Sequence, residues 1–315
     1  MKSPLPVRNG VGASRHGLPP GQWPNLLVYL LQRFPAVTEA EWRQRFFSGL
    51  VCDESGQALA IDNPYQPGRV VFYYRDLPPE PVIPFEAQIL FEDEHVLVAD
   101  KPHFLPVTPA GRFLAQTLLT RLRRDTGNDD LVPLHRIDRE TAGLVLFSKR
   151  RDSRESYSAL FRERRIEKVY EVIAPLNTAL KFPLQHCSHL QPGTPFFRME
   201  TGTGEANSET GIELLAAHAG WGHFRVRPVT GRKHQIRVHF AALGMPILFD
   251  AMYPILAPDV EAKQTAYDQP LQLLASQLSF ADPLTGKQRA FASARQLISL
   301  GDSLLSGMNN VADHA

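Results

Sequence analysis

Apolar positions recur along this chain with two periods, and the changes of period divide it into elements. The run from Asn25 to Leu31 predicts a helix. Thr38-Glu39-Ala40-Glu41 is a capping box that opens a second helix through Trp42, Phe46 and Phe47, closed at Gly49. Leu50-Val51 and Val70 to Tyr74 read as strands, with a turn at Pro67-Gly68. Paired strands are expected at 89–91 and 96–99, around a turn at 92–95. A helix is expected over 113–124, and Leu144 to Phe147 reads as a buried strand after Gly143. Asp152 and Glu155 suggest a capping-box start for a helix carrying Tyr157, Leu160, Phe161 and Arg164. Lys168 to Ala174 alternates like a strand, and 212–227 is expected to form a hairpin turning at Gly220-Trp221-Gly222. From Lys233 a helix fits, because Ile236, Phe240 and Leu243 share a face and Gly244 with Pro246 closes it. Strands over 271–280 and 289–291, around a turn at 282–286, complete the pattern. No internal repeat is visible.

This order of elements gives an α+β protein in four parts. Residues 1–22 combine Gly, Pro and Arg without periodicity and are expected to be a flexible lead. Residues 23–80 form a small N-terminal α/β unit, and the stiff run Leu77-Pro78-Pro79-Glu80-Pro81 marks its boundary. The main domain is placed at 81–300, and the polar residues 301–315 are expected to be a disordered tail. With 315 residues and 43% hydrophobic content the chain can bury a sizeable core. It has no apolar run long enough for a transmembrane helix, and its first 20 residues lack the apolar stretch of a signal peptide. Cys52 and Cys187 are too few and too isolated for a disulfide framework or a zinc cluster, so both read as small semi-buried residues. A cytoplasmic protein without a membrane partner is expected.

The net charge of +1 gives no argument for a polyanionic partner, but its distribution does. From Lys149 to Lys168 there are eight basic residues against four acidic ones, a strip that fits either a solvated helix face or a binding surface. From Arg225 to His239 there are five Lys or Arg residues and no acidic one, together with His234 and His239.

Three segments carry chemistry. The first is His135-Arg136-Ile137-Asp138-Arg139-Glu140-Thr141-Ala142-Gly143, just before a buried strand. Crowding by Arg136 and Arg139 would hold Asp138 ionised, as a nucleophile or base requires, although the same pattern also fits a structural salt bridge. A kinase-type loop is excluded because the aspartate falls one place late and no glycine-rich loop precedes it. Gly202-Thr203-Gly204 lacks the third glycine of a nucleotide fingerprint. The second segment is Lys168-Val169-Tyr170, whose Lys168 and Tyr170 share one face of a strand. A tyrosine there can stack on a base or handle a proton, or simply fill the core. In the third, Thr230-Gly231-Arg232-Lys233-His234-Gln235-Ile236-Arg237, Gly231 permits a tight turn and the helix start offers N–H groups to an anion. Arg237, one turn in, could pair with a carboxylate.

In order and wording these segments resemble the RluA-type family of pseudouridine synthases, with its His-Arg-Leu-Asp, Lys-x-Tyr and Thr-Gly-Arg-x-His-Gln-Ile-Arg stretches. Glu92 to Pro102, Gly244 to Tyr253 and Leu271 to Gly286 resemble the family's flanking motifs, so the likeness runs from about Ile89 to Ala294. Ile137, Ala142, Leu274 and Asp282 depart from its usual residues. The resemblance implies a mixed, mainly antiparallel sheet with flanking helices around a central RNA cleft. It implies Asp138 as the essential carboxylate, Tyr170 under the target base, Arg237 paired with Asp138, and Arg136 holding the flipped conformation. Lys168, Arg232, Lys233 and His234 are expected to contact RNA. In Trp42, Arg43, Arg45 and Gly49-Leu50-Val51 the N-terminal unit resembles the alpha-L RNA-binding motif.

The implied reaction extracts a uridine from its stack, breaks its glycosidic bond and rejoins the same ribose to a ring carbon, whose proton must then leave, with Tyr170 or a water near it as the expected acceptor. Nothing is oxidised and no phosphate is spent, so no nucleotide, metal or other cofactor is expected. The expected partner is structured RNA, ribosomal or transfer, and the expected state is a monomer. Two other readings stay open. A non-catalytic RNA-binding protein on the same fold would be favoured if Asp138, Tyr170 or Arg237 were replaced. A nucleoside hydrolase would need a second convergent acid.

Overall fold

The computed structural model describes residues 3–75, 80–260 and 266–301, and it divides into two compact units. The Pro-rich run expected as a linker falls largely in 76–79, and the expected disordered tail in 302–315; both lie outside the described residues.

The first unit contains residues 1–81, 109–115 and 120–129. Its elements are β1 (Ser14–Gly17), α1 (Leu26–Arg33), α2 (Glu39–Phe47), β2 (Val51–Cys52) and β3 (Val70–Tyr73), with sheet order β1-β3-β2. Asn25 caps α1 by accepting from the Val28 N–H at 2.9 Å. The capping box of α2 is formed: the Thr38 hydroxyl accepts from the Glu41 N–H, and the Glu41 carboxylate accepts from the Thr38 N–H. Trp42, Leu30, Val51 and Val71 meet in the core. Arg45 is buried with its guanidinium 4.8 Å over the Trp42 ring, a packing role rather than an outward charge. The lead is not all loose: Ser14 to Gly17 pair antiparallel with Val70 to Tyr73, and Leu18 is buried. Edge pairing with a strong apolar strand organised residues that have no periodicity of their own.

The second unit contains residues 82–108, 116–119 and 130–315. Its strands are β4 (Gln88–Glu92), β5 (Val96–Lys101), β6 (Val132–Pro133), β7 (Ala142–Ser148), β8 (Ile166–Pro175), β9 (Leu184–Pro192), β10 (Met199–Gly202), β11 (Ser208–His218), β12 (Trp221–Pro228), β13 (Leu273–Ala281) and β14 (Gln288–Ala292). They form one sheet of order β10-β9-β11-β12-β8-β13-β7-β5-β4, with β14 on β13 and β6 on β7. Every described pairing is antiparallel except the short β13–β7 contact, which gives the α+β class and mainly antiparallel sheet expected from the sequence. Helix α4 (Arg151–Arg162) covers a core of Val98, Leu146, Leu160 and Leu278, while α5 (Gln235–Ala242) covers one of Val172, Phe224, Val226 and Phe240. Among the described residues no helix is long and apolar enough to cross a membrane.

Local differences from the expectations have physical causes. Helix α3 spans Leu118–Thr126 and not 113–124, because Ala110 and Phe113 exchange backbone hydrogen bonds and close a turn there. Arg150 takes the N-cap position of α4 without a side-chain bond, so no capping box forms; Asp152 and Glu155 pair with Arg150 and Arg162. The β11–β12 turn is Ala219-Gly220, both at positive φ as a tight hairpin turn requires, and Trp221 already belongs to β12. Strands β9 and β10 carry no apolar alternation and were not expected.

The buried His239 ties α5 to this sheet. Its Nε2 lies 3.0 Å from the Ser188 hydroxyl and 2.9 Å from that of Ser208, and its Nδ1 lies 2.9 Å from the Thr210 hydroxyl. Burial depresses its pKa from 6.5 to about 4. The folded state therefore binds fewer protons than the unfolded chain between those values, so stability is complete above pH 6.5 and is lost as pH falls towards 4. This shift corresponds to about 3 kcal/mol. The urea midpoint is expected to fall through that window, and His239→Gln to flatten part of the fall; an equally steep fall in the variant would dismiss the clasp.

Candidate active site

The segment from Leu134 to Thr141 leaves β6, crosses the end of the sheet and enters β7. His135 anchors it: its Nε2 accepts the Leu146 N–H at 3.0 Å, its ring stacks on Phe161, and burial holds it neutral, with a pKa pushed down to about 3. At the far end, Thr141 donates its N–H to the Asp138 carbonyl, closing a turn. Gly143 has φ +109°, and a Cβ there would sit 2.2 Å from the Ala275 carbonyl oxygen, so glycine alone lets β7 and β13 approach. These constraints place Asp138 in a cleft of about 780 Å3 at the ends of β8 and β12, a volume typical of ligand sites.

Asp138, Arg136, Lys168, Tyr170, Arg232, His234 and Arg237 all line this cleft. Lys233 is exposed beside it and does not number among its described lining residues. Tyr170, opposite Ala275 on β13, presents a phenol whose pKa is raised by burial and then by the Asp138 charge, so it stays protonated. Such a group suits an apolar wall better than a base. Lys168 has its pKa lowered, first by burial and then by Arg164.

The expected pairing of Arg237 with Asp138 exists at 3.3 Å, but it is the weaker of two. The fully buried guanidinium is held first by Asp250, with Nε and Nη2 donating to its two carboxylate oxygens at 2.8 and 2.7 Å. Nor do the sequence neighbours of Asp138 hold it. Arg136 is exposed at the cleft, and Arg139 donates to the Phe104 carbonyl. Burial opposes ionisation of Asp138, and His234 when protonated, Arg237 and Lys101 outweigh it, leaving the carboxyl below its ordinary range. Burial pushes His234 itself down to about 4, so near neutral pH the cations that act are Arg237 and Lys101. His234 lines the cleft with its side chain only 8% exposed, and Nε2 faces Asp138 Oδ1 at 3.8 Å.

Sequence reasoning gave no role to Lys101, Glu140, Asp250 or Tyr253. Lys101 is completely buried at the end of β5, where its ammonium donates to the Pro102 and Arg139 carbonyls and so grips the loop next to Asp138. Burial lowers it to about 7. A lysine two places after the apolar run Val96 to Ala99, within one buried strand, was the available signal. Glu140 reaches Arg237 at 3.9 Å, yet neither it nor Asp250 is among the described lining residues of the Asp138 cleft.

The basic strip from Lys149 to Lys168 resolves into two parts. Lys149, Arg150, Arg151, Arg162 and Arg165 pair with acidic side chains and Arg154 donates to the Asp130 carbonyl, whereas Arg164 and Lys168 line the cleft. Arg227 and Arg232 join them from the other wall. The result is a largely cationic groove with Asp138 in its floor and the exposed Glu167 as a second acidic lining residue. Among the described residues no cluster of side chains has the make-up of a metal site.

Comparison with known proteins gives a consistent set of relatives. The family described as RNA pseudouridylate synthase matches residues 95–242. An RNA pseudouridine synthase of Synechocystis, itself uncharacterized, is 32% identical over 233 residues, covering 72% of this chain and 79% of its own. Ribosomal large subunit pseudouridine synthase D of Pseudomonas aeruginosa is 30% identical, covering 66% and 68%. Among solved structures, human RNA pseudouridylate synthase domain containing 1 superposes with a TM-score of 0.54 at 20% identity, over 73% of this chain and 97% of that one, a likeness of fold.

Proposed function

Because this chain belongs to the RNA pseudouridine synthase family, whose members are isomerases, we propose that Asp138 is the carboxylate that carries its uridine isomerisation. The observation behind this is that the cleft places an ionised carboxylate, braced by a buried arginine, on the floor of a groove lined with cations. The bookkeeping of the reaction is simple. The N1–C1′ bond of uridine breaks, a C5–C1′ bond forms, the C5 proton leaves and N1 gains one. No electron or phosphate changes hands, so we assign no cofactor.

Tyr170 is the surface against which the extracted uracil lies, and Arg237 positions Asp138. Arg136, exposed at the mouth, is placed to fill the stack that the uridine leaves. Lys168, Arg232 and Lys233 bind phosphate, a contact that weakens with salt. His234 is withdrawn from that set and assigned to Asp138. The first unit is assigned as an accessory RNA-binding module on its likeness to the alpha-L motif; Arg45 takes no direct part in that role, since it packs on Trp42. We assign action as a monomer.

The substrate is a uridine in ribosomal or transfer RNA, and the name of the Pseudomonas relative favours the ribosomal choice. Carbodiimide-stop mapping of total RNA from cells with and without the gene tests the whole reading. One pseudouridine is expected to vanish in the deletion and return with the wild-type chain. An unchanged map would reject the assignment in those cells.

A further inference from the structure

Tyr253 is buried in the second unit, and its phenol lies between two groups of different character. The Met199 backbone N–H donates to its oxygen at 2.7 Å, and His234 Nδ1 lies 2.7 Å from the same oxygen. The ring cannot drift. Arg198 and Arg237 stack on it at 4.9 and 5.3 Å, and its own N–H is held by Asp250 at 3.1 Å. His234 is fixed as well, at φ 54°, as the N-cap of α5.

From this geometry we infer that Tyr253 is a positioning residue: it locks His234 in the tautomer whose Nε2–H faces Asp138. The inference rests on the proposed role of Asp138. A backbone N–H can only donate, so the phenol oxygen must accept from Met199. The single phenolic proton then has His234 Nδ1 as its partner, which leaves the imidazole proton on Nε2. The opposite tautomer would aim a lone pair at the Asp138 carboxylate, so both ends of the imidazole favour the same arrangement. At 3.8 Å the Nε2–H does not yet reach Oδ1. A small closure on substrate would complete the bond, as in other sites that tighten when filled. Asp138 would then have a neutral donor on Oδ1 and Arg237 on Oδ2, fixed in direction without losing its charge to an imidazolium.

The test uses the full chain labelled with 15N-histidine, with His234 assigned by its loss in His234→Gln. Two-bond 1H–15N correlation is expected to show His234 as the Nε2–H form in the wild type and as a mixture of tautomers in Tyr253→Phe. This readout does not depend on turnover, so it stands or falls apart from the role of Asp138. In tritium release from [5-3H]uridine-labelled RNA of cells lacking the gene, Tyr253→Phe is expected to lower kcat about tenfold and leave KM within about twofold. In a His234→Gln background the same change is expected to add nothing, because Tyr253 acts through the imidazole. A wild-type Nδ1–H form, an unaltered tautomer in Tyr253→Phe, or a full further loss of kcat in the double variant would each overturn the inference.

Discussion

Asp138→Asn is expected to release tritium from C5-labelled uridine in RNA at least about 10^4-fold more slowly than the wild type, the scale of loss when an essential reacting group is removed. The substitution keeps volume and planarity and removes only charge and basicity. The folded state holds this carboxyl below its ordinary range, so its charge is net favourable there, and the change also removes a counter-charge from buried Arg237. Stability is therefore expected to fall modestly, and RNA affinity to stay within about twofold, since the proposed phosphate contacts are other residues of the groove. A variant with near wild-type turnover would reassign the chemistry to another group. Loss of turnover together with loss of binding would make Asp138 a contact residue.

The second large effect concerns the pair behind it. Asp250→Ala is expected to destabilise the second unit by about 3–5 kcal/mol, measured by urea denaturation, because it strands the Arg237 guanidinium in the interior. It also removes the acceptor for the Met252 and Tyr253 N–H groups. Arg237 is then left with Asp138 and Glu140 as its carboxylate neighbours, and turnover is expected to fall with stability. Arg237→Met combined with Asp250→Leu separates the two effects. Removing both charges should restore most of the lost stability, while turnover stays low because Asp138 has lost its brace. A double variant as unstable as the single one would show that the ion pair is not what Asp250 contributes.

Much of this architecture could be read from residue order, and the exceptions follow a rule. Helices α1, α2 and α5 and strands β5, β7, β8 and β13 announce themselves by apolar period, because each presents one stripe or face to a core. Strands β9 and β10 do not. Their side chains are largely polar, and they are strands because neighbouring strands supply hydrogen bonds. In the cleft the same division holds. Asp138, Tyr170 and Arg237 were legible because they stand in distinctive local words. Lys101, Asp250 and Tyr253 stand in the flanking motifs, but their action on the site was not legible, because they arrive from β5 and from the segment after α5. Adjacency in sequence even misled: Arg139 turns to the Phe104 carbonyl, while the charges that act on Asp138 come from about forty residues before it and about a hundred after it.

Strand β13 lies between β8 and β7, and nothing else in the described sheet joins those two strands. One wall of the cleft, with Tyr170, belongs to β8, and the Asp138 segment feeds β7. During synthesis on the ribosome both pieces emerge more than a hundred residues before the strand that unites them. The nascent chain thus carries the cleft residues named above, from Arg136 to Arg237, before the strand that joins their two walls. Assembly of the cleft therefore depends on a long-range pairing, that of residues 273–281 with both β8 and β7. Until that strand is in place, the Tyr170 wall and the Asp138 segment have no strand between them in the described sheet.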